Sequence, residues 1–419
     1  MKVSRRPLLA GLAAALGSAA CGPVHDGPDA TLWYAYGGKN REVLLELVSR
    51  FHATQGEHRI LPTYQGDYFE LLAKLRTASH AGVVPAVTHV VGEVLPYLAE
   101  ASALVPLSEL GLGDVEAGVV PALAQRGTFT AGGDRPLYGL PFNRSTPIAY
   151  FNGEMLIELG AKPPQTWEEL VSFAVAASRG ERDARRYGFG CPIDWWFWVA
   201  LAGQAGGSLV DEAGTITLAG DAGEEALRLW QRLVHEERAM RPPPGRDYNA
   251  WQAVNADFLA KRTAMIWTST AFLRYLEQNA KFPVVAAALP AHVKRAVPTG
   301  GTFFVVPRGA PPKMRPAAAA FLRFMAAPAQ ANHFATKTGY LPTSVAGVAA
   351  LERDGHFASH PNDRVASDQL GAAMPWPWSP RLFRVQREAV QPRLESAVLE
   401  RRDAHEVMQA ARLVAASED

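Results

Sequence analysis

The sequence predicts an α/β fold built from two lobes. A chain of 419 residues is too long for one ordinary hydrophobic core, so two domains are expected. Segments of strand and helix type alternate over the first hundred residues, which is typical of a parallel sheet covered by helices. Strand-type segments return after a helix-rich middle, so we expect the chain to cross between the lobes more than once.

The first 21 residues are predicted to be an export signal with a lipobox. A basic start precedes the apolar run 8–20, which is shorter than the ~20 residues needed to span a bilayer. Arg5 and Arg6 resemble a twin-arginine signal. The run 18–21 resembles a lipobox, in which Cys21 is acylated and holds the mature protein at the membrane face. The alternative is cleavage by ordinary signal peptidase, which leaves Cys21 unmodified.

A short polar tether is predicted to follow the leader, and two lobes to follow the tether. We assign the tether to 22–29, the N-terminal α/β lobe to 30–143 and 264–312, and the helix-rich C-terminal lobe to 144–263 and 313–419.

The elements of the first lobe are predicted from hydrophobic periodicity. Val43, Leu44, Leu47, Val48 and Phe51 are spaced for one face of a helix over 41–54. Similar patterns predict the following segments: strands 31–36, 59–63 and 86–91, and helices 68–80 and 94–101. In open α/β sheets ligands bind beyond the carboxyl ends of the strands, so we expect a site there, facing the second lobe.

The remainder of the chain mixes strands with many helices. The predicted strands are 147–152, 263–267, 284–289 and 302–306. The predicted helices are 155–160, 167–178, 227–237, 253–261, 316–327, 329–336, 388–399 and 404–415.

Composition and motifs disfavour several classes of function. Removing the three leader cations leaves 39 basic against 41 acidic residues, and a near-neutral body disfavours a nucleic-acid partner. Only Cys191 remains if Cys21 is lipidated, so no intramolecular disulfide is expected. Catalytic motifs are missing, and no metal, cofactor or enzymatic activity is predicted. Two carboxylates from distant parts of the chain could still hydrolyse a glycoside, so a secreted hydrolase stays a distant alternative.

Aromatic and arginine clusters indicate binding instead. Aromatic faces stack on sugar or glycerol carbons, and arginine matches phosphate oxygens with two parallel hydrogen bonds. The clusters are Trp33, Tyr34 and Tyr36; Trp195, Trp196 and Trp198; Trp376 and Trp378; and Arg381, Arg384 and Arg387. The plainer interpretation is that the indoles fill cores and the arginines form a solvated helix face.

Several motifs resemble those of family 1 extracellular solute-binding proteins of ABC importers, in particular the members that bind glycerol-3-phosphate. The motifs are 62–68 (PTYQGDY), 141–147 (PFNRSTP), 166–167 (TW), 299–301 (TGG), 337–342 (KTGYLP) and 394–396 (LES). The resemblance implies a two-lobed periplasmic-binding-protein fold (type II-like). It also implies that the protein is a monomer that passes its ligand to an ABC permease from the periplasmic or extracytoplasmic face.

The resemblance also implies a set of ligand contacts. These are Tyr68, Glu93, Ser145, Ser269, Gly301, Tyr340 and Arg387, with Arg387 facing a phosphate group. Trp195 is added from the aromatic cluster, because the segment 195–198 has more aromatic bulk than the family's pattern and could stack on a bulkier headgroup. Direct alignment puts Gly92 at the carboxylate position, so Glu93 requires a one-residue insertion. The implied ligand is glycerol-3-phosphate or a glycerophosphodiester such as glycerophosphocholine. An uncharged sugar or oligosaccharide is the alternative, with the tryptophans dominating the contacts.

Overall fold

The computed structural model describes residues 29–126, 135–181, 184–243 and 247–416. The predicted export signal, Cys21 and nearly all of the tether therefore lie outside the described residues. Within the described ranges, no helix combines the length and apolar character needed to cross a bilayer.

The strands are short, and several of them are fully buried. They are β1 Ala30–Tyr34, β2 Ile60–Tyr64, β3 Val87–Val91, β4 Leu104–Val105, β5 Leu140–Pro141, β6 Pro147–Asn152, β7 Tyr187–Gly190, β8 Met240–Arg241, β9 Thr263–Ser269, β10 Val284–Ala287, β11 Val297–Pro298, β12 Thr302–Pro307 and β13 Ala373–Met374. Runs that are buried along their whole length, such as β9 and β12, are expected of strands covered on both faces.

Helices cover both sheets. They are α1 Gly38–Thr54, α2 Tyr68–Ala81, α3 Leu95–Glu100, α4 Gly113–Ala117, α5 Gly153–Leu159, α6 Trp167–Ala177, α7 Trp195–Gln204, α8 Gly220–Gln231, α9 Asp247–Leu259, α10 Leu273–Asn279, α11 Arg315–Ala326, α12 Pro328–Thr338, α13 Val345–Arg353, α14 His356–Ser359, α15 Pro361–Asp368, α16 Leu382–Arg384, α17 Gln391–Glu400 and α18 Ala404–Ala416. Segments Arg232–Glu236 and Val385–Val390 are π-helical.

Each lobe is organised around one sheet. The first sheet has the order β2–β1–β3–β12–β4, with β5 also paired to β12. Strand β1 is parallel to β2 and β3, and β12 is antiparallel to its neighbours. The second sheet has the order β10–β6–β9–β7–β8. The two sheets lie in separate hydrophobic cores, so the prediction of a two-lobed α/β fold is confirmed.

The predicted lobe boundaries are wrong in two places. Strands β9 and β10 were assigned to the first lobe from residue 264 onward, but both pair with β6 in the second sheet. Helices α11 and α12 were assigned to the second lobe, but Phe321 and Phe334 pack in the first core. A hydrophobic pattern predicts that a strand or helix exists, whereas its partner depends on tertiary packing. Among the described strands after residue 260, only β12 joins the first sheet.

Candidate functional site

Three chain segments that cross between the lobes meet at one place. They are 142–146 between β5 and β6, 299–301 before β12, and 339–342 after α12. The Ser145 N–H donates to the Gly300 carbonyl at 3.2 Å, and the Gly300 N–H donates to the Ser145 carbonyl at 2.7 Å. The Leu341 N–H donates to the Arg144 carbonyl at 2.8 Å. Three of the motifs quoted above are therefore neighbours at the junction of the lobes.

Asn143 joins two of the predicted tyrosines at this junction. Its Nδ2 donates to the Tyr68 hydroxyl at 2.9 Å and to the Tyr340 hydroxyl at 3.4 Å. Its Oδ1 accepts from the Thr302 N–H at 2.8 Å and also from the Thr302 hydroxyl. With 0% of its surface exposed, Asn143 is held firmly by these bonds. It thus sets the positions of both phenols, although it was not among the predicted ligand contacts.

Tyr68 reaches the junction because of how α2 begins. The Asp67 carboxylate accepts from the N–H groups of Phe69 and Glu70, both at 2.8 Å. The Glu70 carboxylate in turn accepts from the Asp67 N–H at 3.0 Å. This reciprocal capping box fixes the first turn of a helix. Tyr68 is the first residue of α2, so its side chain is presented at the carboxyl edge of the first sheet.

Gly301 is required by the close approach of two crossing segments. Its φ of +90° lies in the region that favours glycine, and an added Cβ would lie 1.9 Å from the Asn143 carbonyl oxygen. The Gly301 carbonyl accepts from the Arg144 guanidinium at 3.0 Å and from the Gly92 N–H at 3.3 Å. Gly301 therefore links β3's end to the crossing segments.

Arg144 is a buried cation that the sequence analysis did not single out. Its guanidinium donates to the Thr299 hydroxyl at 2.8 Å and lies 4.4 Å from the Phe303 ring centroid. Burial lowers the pKa of Arg144 to about 10, and the charge of Glu93 opposes that shift. The guanidinium thus remains charged at neutral pH and orders the 299–303 segment.

Glu93 lies within electrostatic range of Arg144 and of Asp194, a carboxylate of the second lobe. Burial raises the pKa of the half-buried Glu93 carboxyl, Arg144 lowers it, and Asp194 raises it further. Asp194 accepts from the Trp196 N–H at 2.9 Å and so caps α7. The carboxylates of Glu93 in the first lobe and Asp194 in the second therefore repel each other electrostatically.

The two predicted serines lie on the second-lobe side of the junction. Ser145 and Ser269 are both buried, and Ser269 pairs with Pro147 in the second sheet. The Ser269 hydroxyl accepts from the Ala271 N–H at 3.2 Å, so it caps the turn after β9. Backbone pairing continues past the strands, where the Thr270 N–H donates to the Thr146 carbonyl at 3.1 Å.

Trp195 and its neighbour Trp196 occupy different environments. Trp195 is 0% exposed and stacks on Trp198 at 5.4 Å and on Trp376 at 6.4 Å between ring centroids, inside the second core. Trp196 is 8% exposed, and a Cβ at Gly300 would lie 2.6 Å from its ring. Trp196 therefore faces the junction, whereas the predicted contact Trp195 lies inside the second core.

Arg387 reaches the first lobe from the π-helical turn of the second lobe. Its guanidinium carbon lies 4.2 Å from the centroid of the Phe69 ring, next to Tyr68. Phe69 also stacks on Phe383 at 6.2 Å between ring centroids. Arg387 itself is exposed. Its guanidinium, from the second lobe, therefore lies over the first turn of α2 in the first lobe, where Tyr68 is located.

Metal binding has no support in the described ranges, where no group of three His, Cys, Asp or Glu side chains could hold an ion. Cys191, the single cysteine in those ranges, is buried in the second core.

Comparison with characterised proteins finds periplasmic glycerol-3-phosphate-binding proteins among the relatives of this chain. The chain is 26% identical to the sn-glycerol-3-phosphate-binding periplasmic protein UgpB of Salmonella typhimurium over 372 residues, which covers 83% of this chain and 81% of the relative. It is 25% identical to the protein of the same name from Escherichia coli K12 over 387 residues, covering 88% and 86%.

Solved structures agree in fold. UgpB from Mycobacterium tuberculosis, in complex with glycerophosphocholine, matches with a TM-score of 0.80 at 23% identity, covering 93% of this chain and 98% of that one. The GacH receptor of Streptomyces glaucescens, studied unliganded and with acarbose, also matches with a TM-score of 0.80 at 19% identity, covering 93% and 97%. Identities this low show the two-lobed fold alone.

A family model supplies the remaining finding. The model described as bacterial extracellular solute-binding protein matches residues 46–366, which is more than half of the sequence and takes in the three crossing segments. The prediction of an extracellular solute-binding protein is confirmed, and this chain belongs to the bacterial extracellular solute-binding protein family.

Proposed function

We propose that this protein captures a glycerol phosphate ester between its lobes and passes it to the permease of an ABC importer. The ester is glycerol-3-phosphate or a glycerophosphodiester such as glycerophosphocholine. The names of the relatives support this ligand class, and the junction offers hydroxyl, carboxylate and guanidinium groups suited to it. The ligand leaves with its bonds intact, so the protein acts in transport and not as an enzyme.

The observation that carries the proposal is the position of Arg387. A guanidinium donates two parallel hydrogen bonds to phosphate oxygens, and charge-assisted bonds of this kind contribute roughly 1.5–3 kcal/mol each. Arg387 lies over Phe69. Phe69 follows Tyr68 in the chain, and the Tyr68 hydroxyl is positioned by Asn143. A phosphate held by Arg387 would therefore leave the rest of the ligand beside the first-lobe hydroxyls.

Binding to both lobes accounts for delivery. A ligand shifts the equilibrium between open and closed forms only by its different affinity for the two. Tyr68 and Glu93 belong to the first lobe, whereas Arg387 and Trp196 belong to the second, so a bridging ligand favours the closed form. The permease then recognises that closed shape.

A second candidate ligand is an uncharged sugar, and the aromatic side of the junction favours it. The Trp196 and Trp251 rings lie 5.6 Å apart, and the Trp196 Nε1 is buried without a hydrogen-bond partner in the described ranges. An indole face stacks on sugar carbons while its N–H donates to a hydroxyl. In this case Arg387 would contribute little to affinity.

We keep lipidation of Cys21 as part of the proposal, on sequence grounds. Acylation would hold the protein at the membrane face, close to its permease. If this is correct, Cys21→Ala moves the protein from the membrane fraction to the soluble fraction, whereas unchanged membrane association contradicts the anchor.

Titration calorimetry of two arginine variants tests the ligand class. Arg387→Ala should weaken glycerophosphocholine binding about 10- to 100-fold, since a charge-assisted contact is lost. Arg384→Ala is the matched control: this exposed arginine precedes Arg387 by three residues and pairs with Glu388 at 3.1 Å. Its affinity should equal that of the wild type. Equal losses for a phosphate ester and for maltose in Arg387→Ala would exclude the phosphate role.

A further inference from the structure

Tyr36 and His89 form a buried polar pair at the carboxyl edge of the first sheet. Tyr36 follows β1 by two residues, and His89 lies in β3 beside it. Their ring centroids are 5.0 Å apart, and the two residues are 8% and 1% exposed. Within the described ranges, neither the Tyr36 hydroxyl nor the His89 Nδ1 has a hydrogen-bond partner. Buried polar groups in that condition are rare and need an explanation.

The hydrogen bond to the other ring nitrogen determines which nitrogen of His89 carries the proton. The Ala35 N–H donates to His89 Nε2 at 3.0 Å, so Nε2 acts as an acceptor and bears no hydrogen. Burial lowers the pKa of His89 to about 3, so the ring is neutral and its single proton is on Nδ1. An Nδ1 that carries a hydrogen cannot accept the hydrogen of the Tyr36 hydroxyl. That hydrogen must find its acceptor elsewhere.

The Tyr36 hydroxyl is close to the tyrosines of the junction. Burial raises the pKa of Tyr36, and the phenols of Tyr68 and Tyr340 add to that shift, which places all three within electrostatic range. The Tyr68 ring lies 5.9 Å from the His89 ring, on the same edge of the sheet. Tyr36 thus remains protonated. Its ring centroid lies 6.4 Å from that of Phe142, at the start of the crossing segment 142–146, so it is a hydrogen-bond donor beside the place where the crossing segments meet.

We propose that Tyr36 is a further ligand-binding residue, whose hydroxyl donates a hydrogen bond to an oxygen of the bound solute. This inference rests on the proposed function, since it requires a small solute at the junction. The neutral donors Tyr36 O–H and His89 Nδ1–H favour an oxygen-rich face of the ligand, such as phosphate or glycerol oxygens. They disfavour a cationic group there, so a choline headgroup would point toward the second lobe.

Tyr36→Phe tests the inference because it removes only the hydroxyl. We expect glycerophosphocholine to bind about tenfold more weakly by titration calorimetry. The ligand-free melting temperature should be unchanged or higher, because a buried hydroxyl without a partner is replaced by hydrogen. Tyr150→Phe is the matched control, since its hydroxyl is also buried and has no hydrogen-bond partner among the described residues, but lies in a separate cluster of the second lobe. Its affinity should equal that of the wild type.

The outcomes separate this inference from the proposed function. Glycerophosphocholine and maltose are both titrated, and the variant is compared with the wild type for whichever probe the wild type binds. An unchanged dissociation constant in Tyr36→Phe overturns the inference, as does a weaker one accompanied by an equal loss of ligand-free stability. Wild-type binding of maltose alone contradicts the phosphate-ester function and leaves the Tyr36 comparison measurable. Binding of neither probe overturns both.

Discussion

The two sides of the junction are built in different ways. On the first-lobe side, the phenols of Tyr68 and Tyr340 are held by Asn143, which is itself bonded to Thr302. Buried hydrogen-bond networks of this kind make a structure rigid. On the second-lobe side, Arg387 is exposed, and its guanidinium lies over the aromatic ring of Phe69 in the first lobe.

The difference suggests a division of roles between the lobes. The first lobe supplies a preorganised polar surface, which lowers the entropy cost of binding. In the proposed function, the second lobe supplies charge and aromatic area to the ligand as the lobes close. Selectivity between a phosphate ester and a sugar should therefore depend on the second lobe. The affinity common to all of these ligands should depend on the first lobe.

The largest expected effect comes from a substitution on the first-lobe side of the junction. Asn143→Ala removes the group that positions Tyr68 and Tyr340 and leaves the Thr302 N–H without its acceptor. We expect affinity for every ligand to fall at least tenfold and the free energy of unfolding to fall by about 1–3 kcal/mol. Calorimetry and urea unfolding measure the two losses.

The matched control for Asn143 is Asn152→Ala. Asn152 is equally buried and caps α5 by accepting from the Glu154 N–H at 3.0 Å, away from the junction. It should lose about 1 kcal/mol of stability without any loss of affinity. If Asn143→Ala also kept its affinity, the idea of a preorganised first-lobe surface would be refuted.

The next effect concerns pH and His89, beneath the polar side. Its pKa is about 3 in the folded protein and near 6.5 in an unfolded chain. Between these values the unfolded chain takes up a proton that the folded protein does not. The stabilisation that comes from keeping His89 neutral is therefore fully present above pH 6.5. The free energy of unfolding falls by about 2 kcal/mol on acidification from pH 7 to pH 5.

Urea unfolding at pH 7 and pH 5 measures this loss. His89→Gln should lack that part of the pH dependence, whereas His80→Gln, at an exposed histidine in the last turn of α2, should retain it. The same pH dependence in all three proteins would show that His89 is not held neutral.

The smallest effect sharpens the second-lobe side. Trp196→Phe should weaken binding by tenfold or less, since it removes the indole N–H that would donate a hydrogen bond to the ligand. Trp195→Phe should leave affinity unchanged but lower stability by about 2 kcal/mol, because a fully buried ring in a stacked cluster is replaced by a smaller one. Calorimetric titration and thermal melting of both variants distinguish the two roles. The reverse pattern would return the ligand contact to Trp195.

Much of the fold and part of the site could be predicted from the sequence. The helix predicted at 68–80 is present as Tyr68–Ala81, because Asp67 and Glu70 form a capping signal that is local in sequence. The motifs that contain Asn143, Gly301 and Tyr340 meet because each follows or precedes an element that ends at the junction. Local patterns such as these are readable without knowledge of the tertiary structure.

Other features depend on packing and could not be read from the pattern. Every residue of α7, Trp195–Gln204, is buried, so periodicity gives no clue to which indole faces the junction. Strands β10 and β12 are both apolar and were both predicted for the first lobe, yet β10 pairs with β6 in the second sheet and β12 joins the first. The roles of Asn143 and His89 follow from their hydrogen-bond partners, which are distant in the chain.

Small-angle X-ray scattering is the most direct test that a solute is gripped by both lobes. The radius of gyration of the wild-type protein is measured alone and with saturating glycerophosphocholine, sn-glycerol 3-phosphate or maltose. We predict a smaller radius of gyration with the phosphate esters, because a bridging ligand favours the closed form. A radius of gyration that stays the same with every one of these solutes would contradict the account.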